Sequence, residues 1–286
     1  MTTSLAAASF GLAALIDAWE SSLRAVSELG RRLSPQQWAA STECPGWSVA
    51  DIVAHTCWIE ARMVGRDEPA HLPEWDDLPH AQSELQRTIE TGVDVRRGVP
   101  QADLCTELDG LIDVRLAMIM ALDPLRLDTL VASPLGGERP LEYVLRMRCF
   151  DIWTHEQDIR RAVGLPANLG SPGAQVAALQ FARAIPFILA RNLGSPVGTT
   201  LRVTVTGRVG FETWAGIDDD GQGIALDALT VSGQSPSLAM TTDWETYARL
   251  GAGRLDTTDP SVLALITLEG DLELGARLPE ALAITP

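Results

Sequence analysis

Two residues that could share a metal ion, Asp151 and His155, stand four apart in Arg148-Cys149-Phe150-Asp151-Ile152-Trp153-Thr154-His155-Glu156-Gln157-Asp158-Ile159-Arg160-Arg161, which holds one of the chain's four histidines. Neither proline nor glycine interrupts the sequence from Leu141 to Val163, so the stretch is expected to be helical. On a helix, residues four apart lie on one face, one turn above the other. A carboxylate and an imidazole so placed can grip a divalent transition metal, which takes three protein ligands from His, Asp or Glu when it keeps an open position. This helix would supply two of them. The plainer reading, a hydrogen-bonded Asp-His pair on a helix surface, fits the spacing equally well.

A further donor lies in Cys44-Pro45-Gly46-Trp47-Ser48-Val49-Ala50-Asp51-Ile52-Val53-Ala54-His55. Pro45-Gly46 signals a turn, and Ser48 with Asp51 three residues on forms a capping-box start with its negative charge at the helix N-terminus. His55 falls in the second turn beside Ile52 and Val53. By itself it reads as a hydrogen-bonded core histidine more readily than as a ligand.

Together, Trp47-Ser48-Val49-Ala50-Asp51-Ile52-Val53-Ala54-His55 and the later Asp151-Ile152-Trp153-Thr154-His155-Glu156-Gln157-Asp158-Ile159-Arg160 resemble the mycothiol-dependent maleylpyruvate isomerase family, a branch of the DinB-like metal-binding four-helix bundles. The resemblance implies that His55, Asp151 and His155 are three metal ligands, with zinc the expected ion and mycothiol the thiol cofactor or cosubstrate. It also implies an enzyme that isomerises or conjugates a small electrophilic substrate. A mycothiol S-transferase acting in detoxification is an alternative within the same chemistry, and a non-catalytic protein binding a metal or a hydrophobic ligand is one outside it. The pattern departs at Asp151, where the isomerase has glutamate; aspartate is one methylene shorter. No catalytic residue beyond the ligands and no substrate-binding residue follows from the motifs.

Other catalytic signatures are missing. His155-Glu156 is not followed by the second histidine of a zinc-protease motif, and no nucleophile elbow, phosphate-binding loop or dinucleotide fingerprint occurs. The formal charge of −16 and pI near 4.6 argue against nucleic acid or an anionic membrane surface as partner. All 22 basic residues are arginine, which suggests a GC-rich genome and agrees with an actinobacterial, mycothiol-making source. The first ten residues lack a charged secretory n-region and no apolar run is expected to reach the roughly 20 residues of a membrane span, so a cytoplasmic location is expected. The four cysteines, 44, 57, 105 and 149, show no CxxC spacing and read as reduced thiols.

Around these motifs the sequence arranges helices and then strands. Apolar positions at Leu12, Leu15, Ile16, Trp19, Leu23 and Val26 predict a helix from about Ser4 to Leu29, and the His55 helix should stop at Gly65. A proline-punctuated stretch follows, in which His71 and His80 read as solvated. Helices are expected again over 82–97 and 102–122, giving with the Asp151 helix a metal-binding bundle over 1–164. Asp158 is expected either to support His155 from behind or to pair with Arg148, Arg160 or Arg161.

From residue 165 to 286 the pattern changes to an α+β domain. A helix is expected from Ser171 to about Leu193, strands over 199–206, 211–215, 225–231, 237–241 and 262–268, and helices over 243–250 and 272–282. The ending Leu268-Glu269-Gly270-Asp271-Leu272-Glu273-Leu274-Gly275 is similar to that of sterol-carrier-like domains. Arg202, Arg208 and Arg277 are surface arginines there that could bind a substrate carboxylate. The fold class is therefore α+β, a DinB-like helical bundle followed by a smaller sterol-carrier-like domain.

Overall fold

The helices of the first half arise where apolar residues recur every three or four positions and a polar side chain caps the first turn. The computed structural model describes residues 9–123, 125–227, 231 and 233–285, and the chain divides into two compact units, Gly11–Asn168 and Leu169–Pro286. In the first unit, α1 (Leu12–Arg32) buries Leu15, Trp19, Leu23 and Val26 in one stripe. The expected start at Ser4 falls outside the described residues. A single turn, α2 (Pro35–Trp38), leads to α3 (Val49–Met63).

The start of α3 carries the expected capping box. The Ser48 hydroxyl accepts from the Asp51 N–H, and the Asp51 carboxylate accepts from the Ser48 N–H at 2.8 Å. Almost every α3 residue is buried, so this helix lies at the centre of the unit, against α4 (Glu84–Asp94), α5 (Gln101–Met120) and α6 (Leu141–Ala162). On the other side α1 packs on α5 and α6. A short antiparallel hairpin of β1 (Leu130–Ala132) and β2 (Glu138–Pro140) precedes α6.

Gly92 on α4 fixes how closely that helix meets α3. A Cβ there would stand 2.2 Å from the Trp58 indole, and Trp58 is buried beside His55, ring centroids 6.1 Å apart. Overpacking a close-packed core costs about 1–3 kcal/mol. We therefore expect Gly92→Ala to destabilise the protein by that amount in thermal unfolding.

In the second unit, Ser171 caps α7 (Pro172–Phe187) and Pro172 occupies its first turn. Pro186, lacking an N–H, precedes a π-helical turn at Ile188–Asn192. Within the combined segment Pro172–Asn192 an 18-residue window reaches a mean hydropathy of 1.3, so the segment is, by length and composition, long and apolar enough to cross a membrane. It is not a continuous apolar run, being broken by Gln175, Gln180 and Arg183. With 61% of that window buried inside the protein, the apolar faces of this segment are met by protein, as in any core helix.

The sheet of this unit has the order β5-β4-β3-β6-β7. Its strands are β3 (Thr200–Thr206), β4 (Phe211–Ile217), β5 (Gly223–Leu226), β6 (Leu238–Asp243) and β7 (Thr267–Gly270). All pairs are antiparallel except β3 with β6. Leu201, Val203 and Val205 point inward at alternate positions of β3. Helices α8 (Trp244–Gly251), α9 (Pro260–Leu263) and α10 (Leu272–Ala281) complete the unit.

Two strand expectations need correction. The segment 262–268 is not one strand: Asp259 caps a helical turn begun by Pro260, a stronger local signal than the β-branched residues that follow, and the strand is delayed to Thr267. The strand expected over 225–231 begins earlier, at Gly223, and ends at Leu226, while residues 228–230 lie outside the described residues. The architecture is α+β, a helical bundle followed by a mixed sheet with helices.

Candidate metal centre

The helix predicted from the uninterrupted run after Leu141 forms, and it turns Asp151 and His155 onto the face that meets α3. Asp151 Oδ1 lies 3.6 Å from His155 Nε2 and 3.6 Å from His55 Nε2. One ligand atom from each of the three residues falls within 4.8 Å of the others. Two donors each about 2.1 Å from a tetrahedral ion stand about 3.4 Å apart, so these separations suit a shared ion and are too long for direct hydrogen bonds. The sequence alone left an Asp-His hydrogen bond open for this pair; its geometry here does not make one.

The burial of the group points the same way. The side chains of His55 and His155 are 4% and 9% exposed, whereas that of Asp151 is 31% exposed. Both ring nitrogens of His55 are buried without a hydrogen-bond partner, an arrangement that costs free energy unless something else satisfies them. Burial lowers the His55 pKa from its ordinary 6.5, which favours the neutral imidazole that a metal requires. Burial would raise the Asp151 pKa, yet the Arg148 guanidinium and the two histidines hold it well below the usual carboxylate range. The residues present thus fit a divalent ion.

Support behind the three donors is uneven. His155 Nδ1 is 3.1 Å from Asp158 Oδ2, which orients the ring and leaves Nε2 free to face the ion. Asp158 Oδ1 accepts from Arg161 Nη2 at 2.9 Å, and Arg161 Nε lies 2.8 Å from Glu43. Asp158 therefore takes both roles foreseen for it, with Arg161 as the arginine. Arg148 pairs elsewhere, with Asp151 and Glu60, and Arg160 with Glu156.

Sequence reasoning missed the wall of the site. The Trp47 ring lies 4.9 Å from the His55 ring and 5.8 Å from that of His155, centroid to centroid. Its indole N–H donates to Glu90 at 2.8 Å. His80 Nε2 approaches the same Glu90 oxygen at 2.9 Å and Arg97 binds the other. His80 is thus not solvated as expected, because Gly46, at φ +78°, has no Cβ to collide with its ring. His71 is exposed, with its Nε2 2.6 Å from Asp94 Oδ2.

Glu60 was missed as well. The only hint was a charged residue within the apolar run Cys57-Trp58-Ile59-Glu60-Ala61. Cys57, Cys105 and Cys149 are buried; burial pushes the Cys57 thiol well up and that of Cys149 to about 12, as befits inert thiols. In the second unit Arg202 lies over the Trp214 ring, Arg277 donates to the Leu193 carbonyl, and Arg208 is exposed.

Residues 19–160 match the family model of the mycothiol maleylpyruvate isomerase N-terminal domain. Among solved structures, the mycothiol-dependent maleylpyruvate isomerase is similar over 86% of this chain and 90% of its own, at 12% identity and a TM-score of 0.50. A point mutant of that enzyme gives the same coverage and identity with a TM-score of 0.52. The sterol carrier protein domain 2 of Helicoverpa armigera overlaps 37% of this chain and 87% of its own, at 18% identity and a TM-score of 0.28. No curated protein matches. At such identities the isomerase structures speak to fold, which they share with this chain over most of its length. The family match runs through nearly the whole of the helical unit, and that unit belongs to the mycothiol maleylpyruvate isomerase N-terminal domain family.

Proposed function

We propose that this chain is a metal-dependent enzyme that uses mycothiol as cofactor or cosubstrate to isomerise or conjugate a small electrophilic substrate. His55, Asp151 and His155 are its metal ligands and zinc is the ion. What carries the reading is a buried histidine with both nitrogens unpartnered, 3.6 Å from a carboxylate that also faces His155. The family of the helical unit supplies the thiol. The bundle over 1–164 is the metal-binding domain and 165–286 the sterol-carrier-like one, and the protein acts in the cytoplasm.

Zinc held there would act as a Lewis acid, depressing the pKa of a thiol in its open position. The chain's own residues do the rest of the positioning. Asp158 keeps the proton of His155 on Nδ1, so Nε2 presents a lone pair. Trp47, fixed by Glu90, covers the two imidazoles on one side and keeps water from them. Asp151, the most exposed of the three, marks the open side. The reaction class is reversible thiol addition to a conjugated double bond for an isomerase, or lasting thiol transfer to the electrophile for a conjugating enzyme.

Elemental analysis of the purified protein tests the reading. About one zinc per chain is expected in the wild type and none in His55→Ala or His155→Ala, with mycothiol-dependent turnover of maleylpyruvate or of an electrophilic acceptor only in the zinc-loaded wild type. Metal-free protein that takes up no zinc on incubation would remove the basis for the proposal.

A further inference from the structure

Asp151 offers one oxygen to the histidines and the other to an arginine. Its Oδ2 accepts from Arg148 Nη1 at 2.5 Å, while Oδ1 faces the two imidazoles. Arg148 is itself held from behind, its Nε donating to Glu60 Oε1 at 2.9 Å. Both members of this second pair are deeply buried, the side chain of Arg148 being 4% exposed and that of Glu60 0%. Such a pair is expensive to bury, and the helices already have a large apolar contact to hold them. Its position says what it does. Glu60 sits on α3 just beyond His55, and Arg148 on α6 one turn before Asp151, so the pair joins the same two helices that carry the ligands, next to the place where the ligands meet.

We infer that Arg148, anchored by Glu60, is the positioning residue of the metal centre: it occupies Asp151 Oδ2 and thereby restricts the carboxylate to one-oxygen coordination through Oδ1. This inference rests on the metal reading above. A carboxylate free at both oxygens can chelate an ion through the pair or swing out to solvent, and Asp151 is exposed enough to do so. The guanidinium fork removes that freedom because one planar group serves both carboxylates at once. Glu60 also offsets the positive charge that Arg148 brings beside Asp151. Arg115 lies close to the same pair, its own charge tied to the Met63 carbonyl at 3.0 Å.

The charge balance supplies the test. The double variant Glu60→Leu/Arg148→Met removes both charges and fills the space with apolar side chains, an exchange that buried ion pairs tolerate. It removes one positive and one negative charge together and takes the guanidinium away from Asp151 Oδ2. Zinc affinity, measured on purified full-length protein by competition with a chromophoric chelator, is expected to fall about 10–100-fold, the usual effect of losing a partner behind a ligand. The cobalt(II)-substituted double variant is expected to absorb more weakly in the visible, as Asp151 adds its second oxygen and the coordination number rises. Should the double variant not fold, Arg148→Lys carries the same measurement: a single ammonium cannot serve Glu60 and Asp151 together, and about a tenfold loss is expected.

Zinc affinity within about threefold of wild type in a folded variant, with an unchanged cobalt spectrum, would show that the pair only holds the helices together, and would overturn this inference while leaving the metal reading intact. A wild type that binds no zinc would overturn both.

Discussion

In chelator, a His55→Leu chain will unfold at a higher temperature than the wild type, and added zinc will not move it. Replacing a histidine inside a core with leucine would ordinarily be expected to do little or to harm. Here the imidazole is buried with one donor and one acceptor nitrogen, neither of which has a partner. An unsatisfied buried polar group costs about 1–3 kcal/mol, and leucine of similar size carries no such group. For a unit of this size about 2 kcal/mol corresponds to roughly 4–8 °C in the unfolding midpoint. Differential scanning calorimetry of the two proteins without metal measures it. A lower midpoint for the variant would mean that the nitrogens are satisfied in the metal-free protein and that His55 is a structural histidine.

The reverse holds for the wild type when zinc is supplied. Free zinc at a hundredfold excess over its Kd stabilises the folded state by about 2.7 kcal/mol, which raises the midpoint by roughly 6–11 °C. With zinc, then, the wild type will match or overtake His55→Leu, and the order of the two proteins depends on the metal. Acid erodes the wild-type advantage. Burial lowers the His55 pKa below its ordinary 6.5, so as the pH falls below about 6.5 the unfolded chain gains a proton that the folded chain does not. Through this linkage the protein's stability is full above that pH and falls toward the lower folded pKa of His55, and protons compete with zinc over the same range. Midpoints recorded between pH 7.5 and 5, with and without zinc, are expected to fall in both series, and His55→Leu should lack this component.

How much of this was legible from the residues can be said residue by residue. Asp151 and His155 were readable because helical periodicity fixes which side chains share a face, and nothing in the run after Leu141 could break the helix. The Ser48–Asp51 cap was readable for the same local reason. His55 was not readable from chemistry alone, since a histidine beside Ile52 and Val53 looks the same whether it binds metal or fills a core; only its motif distinguished it. The Glu60–Arg148 pair was invisible because the partners lie far apart in sequence and meet only where two helices pack. His80 was misread for a related reason: a loop histidine looks solvated until the turn at Gly46 brings it onto Glu90. In the second unit the alternation in β3 was unambiguous, whereas at Asp259-Pro260 a capping signal overrode a weak strand.

The three proposed ligands also have an uneven spacing along the chain. Asp151 and His155 are a single helical turn apart, so they can be near each other in any state in which that turn forms. His55 comes about a hundred residues earlier. Closing a loop of that length costs an unfolded chain about 4.7 kcal/mol of entropy in the simplest polymer treatment, so the folded bundle, which has already brought its ends together, is the state that offers an ion all three donors. The ion proposed for chemistry would thus also be the long-range clasp of the bundle, and the metal-free protein would be topologically looser.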